Sequence, residues 1–515
     1  MIKLPILIFI AQSALAASCA DLSSLHPPNT AITLAQTVEA GALPMTGPRQ
    51  TPNIFKTLPP FCRVAATLTP SSDSDIRIEV WLAAENWNGK FQAVGNSGWG
   101  GYISYPAMAR ALAHGYATAS TDTGHATEGA SFAMGHPEKL VDFGSRAIHE
   151  MTVEAKALIA AFYSQPVRHS YWNSCSTGGR QGLMEAQRFP ADFDGIVAGA
   201  PANYLSHLQP WTLWVPKVVH ESDGSFLPPA KLAVIHKAVI KACDALDGVK
   251  DGVIEDPSRC HFDPGVLKCE GADTADCLTT AQVESARKLY GPVVNSAGTK
   301  IFPGFSPGSE MGWDLLAGAE PIADPVGAFK YVVFNNPAWD WTTLNFDGDL
   351  AALEKAYGPA VDSNRPDLSA FAGRGGKLIL WHGWNDHLVA PGNTVDYYNA
   401  VLYTMGVTRT NESVRLFMVP GMMHCHDGDG TPNFDMIPEL DNWVERGKAP
   451  DRVVASRTNP DRTRPLCPYP LVAVYKGQGA RMRRKVSSAG GSSRKDRVKM
   501  PAYDGKSSQP YVADI

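Results

Sequence analysis

The 515-residue chain has no surplus of positive charge, no Cys-x-x-Cys pair, no internal repeat and, beyond its first residues, no apolar run long enough to cross a bilayer. Its formal net charge of -5 leaves no basic surface for a polyanion, so nucleic acid is excluded as a partner. Without a spanning run, the mature chain is expected to have no integral membrane segment. Cysteines that never occur as close pairs are not laid out as zinc or thiol-redox sites.

What is present describes a large exported globular protein. Hydrophobic residues make up 44% and charged residues 19%, a composition that builds a core. The length exceeds what one core usually serves, so a main domain with a sizeable insertion is expected. Lys3, the apolar run Leu4 to Ile10 and the small residues Ala14 to Ala17 have the form of a signal peptide (residues 1–17) cleaved after Ala16 or Ala17. A secreted or periplasmic location follows. Cys19, just past that site, leaves a lipid-anchored form open, although Ala16 stands where such signals usually carry leucine. An oxidising compartment makes the nine cysteines disulfide partners, Cys19 and Cys62 among them, with one left over. Proximity suggests Cys243 with Cys260 and Cys269 with Cys277, though sequence alone does not settle connectivity.

Six apolar runs, each ending in a polar or glycine-rich loop, predict buried strands: Ile76 to Ala83, Phe91 to Val94, Tyr116 to Thr121, Gly195 to Ala200, Lys377 to Trp381 and Val414 to Val419. Helical spacing over Ser145 to Tyr163 places Ala147, Ile148, Met151, Ala155, Leu158 and Ile159 on one face. The alternation predicts an α/β fold, a mostly parallel sheet covered by helices on both sides, with its chemistry at the carboxyl ends of the strands. From about 204 to 362 the sequence turns rich in Trp, Pro, Gly and Asp, which predicts an inserted lid domain between core segments 18–203 and 363–477. The remainder, 478–515, is basic and without apolar periodicity, the composition of a disordered tail.

The segment from His169 to Gly182 reads as a short strand, a tight turn of small residues and a helix that stops at Pro190. That is the layout of a nucleophile elbow with Ser176 at its tip. The turn lifts the hydroxyl clear of the sheet, and the following helix aims free N–H groups at a developing oxyanion. Asp386, just beyond the strand at Leu378, is placed to orient an imidazole, with Asp396 as the alternative acid. His424, on the loop after the next strand, is the expected general base, with His426 two residues away as its rival. A second oxyanion donor is expected from the loop Gly95 to Gly101; Gly98 is the candidate there, beside Thr177. A phosphate cradle is the competing reading of that loop, but Trp99 is bulky and no Gly-Lys-Ser/Thr follows. Together these predict an α/β-hydrolase core with a large inserted lid, performing acyl transfer. Asp244, Asp247 and Asp251 lie on a turn-rich stretch of the lid whose hard oxygens suit calcium as well as they suit a solvated turn.

From about Cys19 to Lys476 the chain resembles the tannase and feruloyl esterase family, which includes mono(hydroxyethyl)terephthalate hydrolase-like enzymes. The marks are Cys175 directly before the serine, Cys425 directly after the histidine, and the run Cys243-Asp-Ala-Leu-Asp-Gly-Val-Lys-Asp-Gly-Val-Ile254. The resemblance implies a Cys175–Cys425 disulfide joining the nucleophile and base loops. It also implies a structural calcium site completed by the carbonyls of Val249 and Val253, and a small aromatic or plant-polyphenol ester as substrate. Feruloyl esterase is the expected activity, with tannase and terephthalate-ester hydrolysis as alternatives; a binding protein that kept the fold without its chemistry is the rival of another class. Trp211, Trp214 and Trp313 fit either ring stacking or the lid's own core. Two departures stand out. Ser174 occupies a position usually held by glycine, and the chain enters its basic tail where the family supplies a last cysteine, leaving Cys467 as the odd thiol.

Overall fold

A computed structural model describes residues 17–43 and 52–474. All of the expected signal segment except Ala17, and the expected tail 478–515, lie outside the described residues. The strands are β1 (Thr30–Val38), β2 (Phe61–Leu68), β3 (Ile76–Ala83), β4 (Lys90–Ala93), β5 (Ala117–Thr121), β6 (His169–Cys175), β7 (Gly195–Gly199), β8 (Val293–Val294), β9 (Lys300–Phe302), β10 (Lys377–Gly383), β11 (Val414–Val419), β12 (Val453–Arg457) and β13 (Arg462–Leu466). Nine of them form one sheet in the order β1-β2-β3-β5-β4-β6-β7-β10-β11. Pairing is antiparallel from β1 to β5 and parallel from β5 to β11.

The apolar runs and the elbow predicted the parallel half, and the run Ile76 to Ala83 predicted β3 beside it. β5 and β7 are buried at every position, as strands covered on both faces must be. Of the antiparallel strands, β1 and β2 were not foreseen. β1 alternates between exposed and half-covered residues and buries only Val38, so it lacks the apolar signal by which a strand is recognised.

Helices Ala147–Tyr163, Thr177–Arg188 and Gly392–Met405 contribute to the core on one face, and Tyr105–Ala113 and Ile437–Arg446 pack on the other. The first of these begins earlier than its spacing predicted, through a π-helical turn at Asp142–Arg146. Gly144 lies there against Ala360, where an added Cβ would stand 2.2 Å from a carbonyl oxygen.

Between β7 and β10 the chain builds helices Leu205–Val219, Pro229–Cys243, Thr280–Tyr290 and Gly348–Ala356 with the β8–β9 hairpin. Trp211 and Trp313 are fully buried among Phe302 and Phe305, which makes them core of this insertion rather than a surface for ligand rings; Trp214 is half-buried at its margin. That core continues into Trp99, on the loop after β4, and Phe143, in the π-helical turn. Four disulfides join Cys19–Cys62, Cys175–Cys425, Cys243–Cys260 and Cys269–Cys277, and Cys467 is the free, buried thiol. With its sulfur bonded to Cys62, Cys19 has no thiol left to carry a lipid.

Candidate active site

Sheet order places the site. β4 and β6 are parallel neighbours, so the loop after β4 and the turn after β6 meet at the carboxyl end of the sheet; β10 and β11 bring their own C-terminal loops alongside. At the end of β6, Ser176 adopts φ 64° and ψ -124°, a strained conformation for a residue with a side chain. Its backbone is held by the Ser176 N–H donating to Gly199 O at 2.9 Å and by Arg180 N–H donating to Ser176 O at 3.0 Å. The helix can start this close to the sheet because Gly179 and Gly182 have no side chain: an added Cβ would lie 2.3 Å from Gly199 O and 2.6 Å from the Trp172 ring. Gly178 resolves the Ser174 departure. Ser174 Oγ fills the space that a Cβ on Gly178 would need, at 1.9 Å, so the extra hydroxyl is accommodated without displacing the turn.

His424 Nε2 lies 2.9 Å from Ser176 Oγ, placed to accept its proton, and His424 Nδ1 lies 2.7 Å from Asp386 Oδ2. Asp386 is completely buried. Burial alone would raise its carboxyl, but the imidazoles of His424 and His382 outweigh that and hold it well below the usual carboxylate range. Its other oxygen accepts the backbone N–H groups of Leu388 and Val389 at 2.8 and 2.9 Å. The two rivals from the sequence are elsewhere: Asp396 pairs with Lys300 at 2.6 Å, and the exposed His426 pairs with Asp427.

Thr177 is the first residue of the helix, so its N–H has no acceptor within the helix. Its hydroxyl donates to Gly98 O at 2.9 Å, and Gly178 N–H donates to Asn96 O at 3.0 Å. Asn96 and Gln181 add a reciprocal pair, the Asn96 N–H donating to Gln181 Oε1 and Gln181 Nε2 to Asn96 Oδ1. The two candidate oxyanion segments are therefore clamped together by four hydrogen bonds. Gly98 has φ 55°, a conformation that favours glycine, and a Cβ there would meet the Asp324 carboxylate at 2.9 Å, so that side chain would have to shift.

The insertion reaches both flanks of this site. Asp324 sits against Gly98 and accepts the Trp99 N–H, its carboxyl raised by burial. On the acid side, Asn385 Nδ2 donates to Gly308 O at 2.6 Å, and Gly312 packs against the His387 ring. The Cys175–Cys425 bond ties the elbow to the base loop across 250 residues.

A family model described as tannase and feruloyl esterase matches residues 62–488. The chain belongs to the tannase and feruloyl esterase family. This family esterase is 37% identical to an "Uncharacterized esterase" of Xanthomonas campestris pv. campestris, over 92% of its own length and 91% of that protein's. It is 36% identical to "Probable feruloyl esterase B-1" of Aspergillus terreus, over 82% and 84%. The crystal structure of feruloyl esterase B from Aspergillus oryzae superposes with a TM-score of 0.84 at 32% identity, over 90% of this chain and 97% of that one. The fold is thus that of an α/β-hydrolase, and the esterase is a carboxylic ester hydrolase.

The acidic stretch of the insertion is a separate structure. Asp244 Oδ1 accepts the N–H groups of Asp251, Gly252 and Val253, and Asp247 Oδ1 that of Val249. Arg464 of β13, which sequence reading did not connect to this loop, pairs with Asp247, Asp251 and Glu255. Asp251 Oδ1 is left buried without a partner. Burial, with Asp251 and Asp244 nearby, pushes the Asp247 carboxyl up. Among the described residues, the groupings of three ligating side-chain atoms within 4.8 Å of one another lie elsewhere, so carboxylates alone do not close a cation shell here.

Proposed function

We propose that this esterase cleaves aromatic esters of the hydroxycinnamoyl, feruloyl type through an acyl-enzyme on Ser176. The hydrogen-bonded series Ser176–His424–Asp386 at the tip of the elbow carries the reading. In it, Ser176 Oγ attacks the ester carbonyl as His424 Nε2 takes its proton, and Asp386 stabilises the imidazolium. The backbone N–H groups of Thr177 and Gly98 receive the oxyanion. His424 then returns the proton to the departing alcohol. A water molecule, deprotonated by His424, releases the acid and restores the serine. Likeness to feruloyl esterase B supports the acyl group, and the four disulfides and the leader-like first residues support secretion.

The test is product release from methyl ferulate, methyl gallate and mono(hydroxyethyl)terephthalate, measured side by side with a Ser176→Ala control. Ferulate release that disappears in the control supports the proposal. Preference for gallate or for the terephthalate monoester reassigns the enzyme to tannase or to terephthalate-ester hydrolysis. No turnover of any ester by the oxidised protein in calcium would favour a binding role on the same fold.

Calcium is proposed as a structural ion in the insertion. The hard-oxygen donors Asp244, Asp247 and Asp251 fit it, and the buried, unpartnered Asp251 Oδ1 is the atom that most needs a cation. The carbonyls of Val249 and Val253 would supply the donors that the side chains do not. Bound there, the ion offsets the local negative charge and orders the loop; no step of ester cleavage passes through it.

A further inference from the structure

The acid of the site is held by a second histidine. His382 is the penultimate residue of β10 and is completely buried. Its Nε2 lies 2.9 Å from Asp386 Oδ2 and 3.0 Å from Val389 O. A backbone carbonyl only accepts, so Nε2 carries a hydrogen shared between the two oxygens. Nδ1 then faces Thr394 Oγ1 at 2.8 Å and accepts from that hydroxyl in the neutral ring. Thr394 lies in the first turn of the helix Gly392–Met405, so the ring is braced between a central strand and a helix.

Asp386 thereby receives four N–H donors. His424 and His382 share Oδ2, while Leu388 and Val389 share Oδ1. A carboxylate has about four lone-pair sites, so every one is engaged and rotation of the group would break at least two bonds. Val389 closes a ring, donating its N–H to Asp386 and accepting from His382 through its carbonyl. Without His382 the carboxylate would keep its two amide donors on Oδ1, but nothing other than His424 itself would locate Oδ2.

We propose that His382 is a positioning residue of this esterase: its Nε2–H sets the plane of the Asp386 carboxylate so that Oδ2 meets His424 Nδ1 when Ser176 is attacked. The inference rests on the Ser176–His424–Asp386 reading and adds a fourth member to it. His382 touches no substrate; it acts through Asp386.

The test compares His382→Leu, which removes the donor, with His382→Gln, whose amide nitrogen returns one near the Nε2 position. Both are made in the full secreted chain and assayed on methyl ferulate, with Tm measured and all four disulfides verified. A loss of orientation of this kind costs about 100-fold in rate. The Leu variant should therefore lose about that much kcat with KM changed less than about threefold, and the Gln variant should recover about tenfold of the loss. Thr394→Val, a near-isosteric change that leaves the ring unbraced, should lower kcat by a smaller factor in the same direction and serves as the deciding variant if His382→Leu does not fold. A folded Leu variant with kcat within twofold of the parent would overturn the proposal, as would a loss confined to KM or equal losses in the Leu and Gln variants. Should Leu fail to fold, unchanged kcat in both Gln and Thr394→Val would overturn it. The Ser176→Ala control separates the two ideas: activity that survives it refutes the serine mechanism itself, whereas activity that vanishes there and persists in His382→Leu refutes only the positioning role.

Discussion

Two loops of this esterase bury carboxylates and treat them in opposite ways. At the end of β10, Asp386 is satisfied by its own chain: two imidazoles on one oxygen and two amides on the other. In the insertion, Asp247, Asp251 and Glu255 gather on the Arg464 guanidinium, with Arg462 reaching only Asp251, and one oxygen of Asp251 is left without a partner. The first loop is complete before any ligand arrives, as a preorganised electrostatic site has to be. The second is short of positive charge, which a cation would supply. The fully bonded carboxylate thus lies at the end of a central strand, while the one with an unpartnered oxygen lies in the insertion.

The largest contrast should come from Asn substitutions in the two loops. Asp386→Asn is expected to lower kcat by about 10⁴-fold, since the imidazole loses the partner that sets its tautomer. Asp251→Asn should leave kcat within about threefold while removing any effect of calcium on Tm. Comparable kcat losses from both would break the division between a chemical and a structural loop.

Next in size is the covalent tie that only the site possesses. Replacing Cys175 and Cys425 together by serine removes a constraint worth up to about 5 kcal/mol in the chain-entropy view. Tm should fall markedly, and kcat should drop more than KM rises, because the elbow and the base loop lose their common anchor. Opening Cys269–Cys277, which closes a span of 8 residues, should cost clearly less in calorimetry and nothing in kcat.

A smaller effect sharpens the other side. Calcium at about 100 times its Kd would stabilise the folded chain by about 2.7 kcal/mol, a rise of a few degrees in Tm over a chelated sample. An identical melt in chelator and in millimolar calcium would dismiss the ion.

The smallest effect is in its pH dependence. Burial pushes the carboxyls of Asp247 and Glu255 up, so each binds its proton more tightly folded than unfolded. Their contribution is greatest below about pH 4 and is lost as pH rises through their raised folded values. Calcium binds the ionised forms, so the Tm gap between calcium and chelator should widen as pH increases from about 4 to 7. Asp386 has the opposite sign: held low by its imidazoles, it contributes fully above about pH 4 and loses that contribution only in stronger acid. A calcium gap that stays constant with pH would mean that Asp247 is not among its ligands.

Much of this was legible in residue patterns. Ser176, Asp386 and His424 each follow an apolar strand at the distance a loop requires, and Gly98, Gly179 and Gly182 stand where a side chain would collide with a neighbour. β1 was not legible, because a sheet edge with few buried side chains has the composition of surface. Nor was the role of Arg464. Its partners lie more than 200 residues away, and nothing in a Thr-Arg-Pro run points to them. His382 was visible as a residue but not as a partner, since a histidine inside a strand is as easily core.

The sequence by itself determined the parts: the runs that become central strands, the tight turn that exposes a serine, and cysteines flanking both the serine and the histidine. Only the tertiary structure shows what those residues touch. Asp386 and His424, which the sequence already favoured, bond to each other while Asp396 and His426 pair elsewhere, and His382 reaches the same carboxylate oxygen. The reason is physical. Apolar periodicity and glycine act over a few residues and leave a local mark, whereas a hydrogen bond near 2.8 Å between groups hundreds of residues apart depends on the order in which strands are laid side by side.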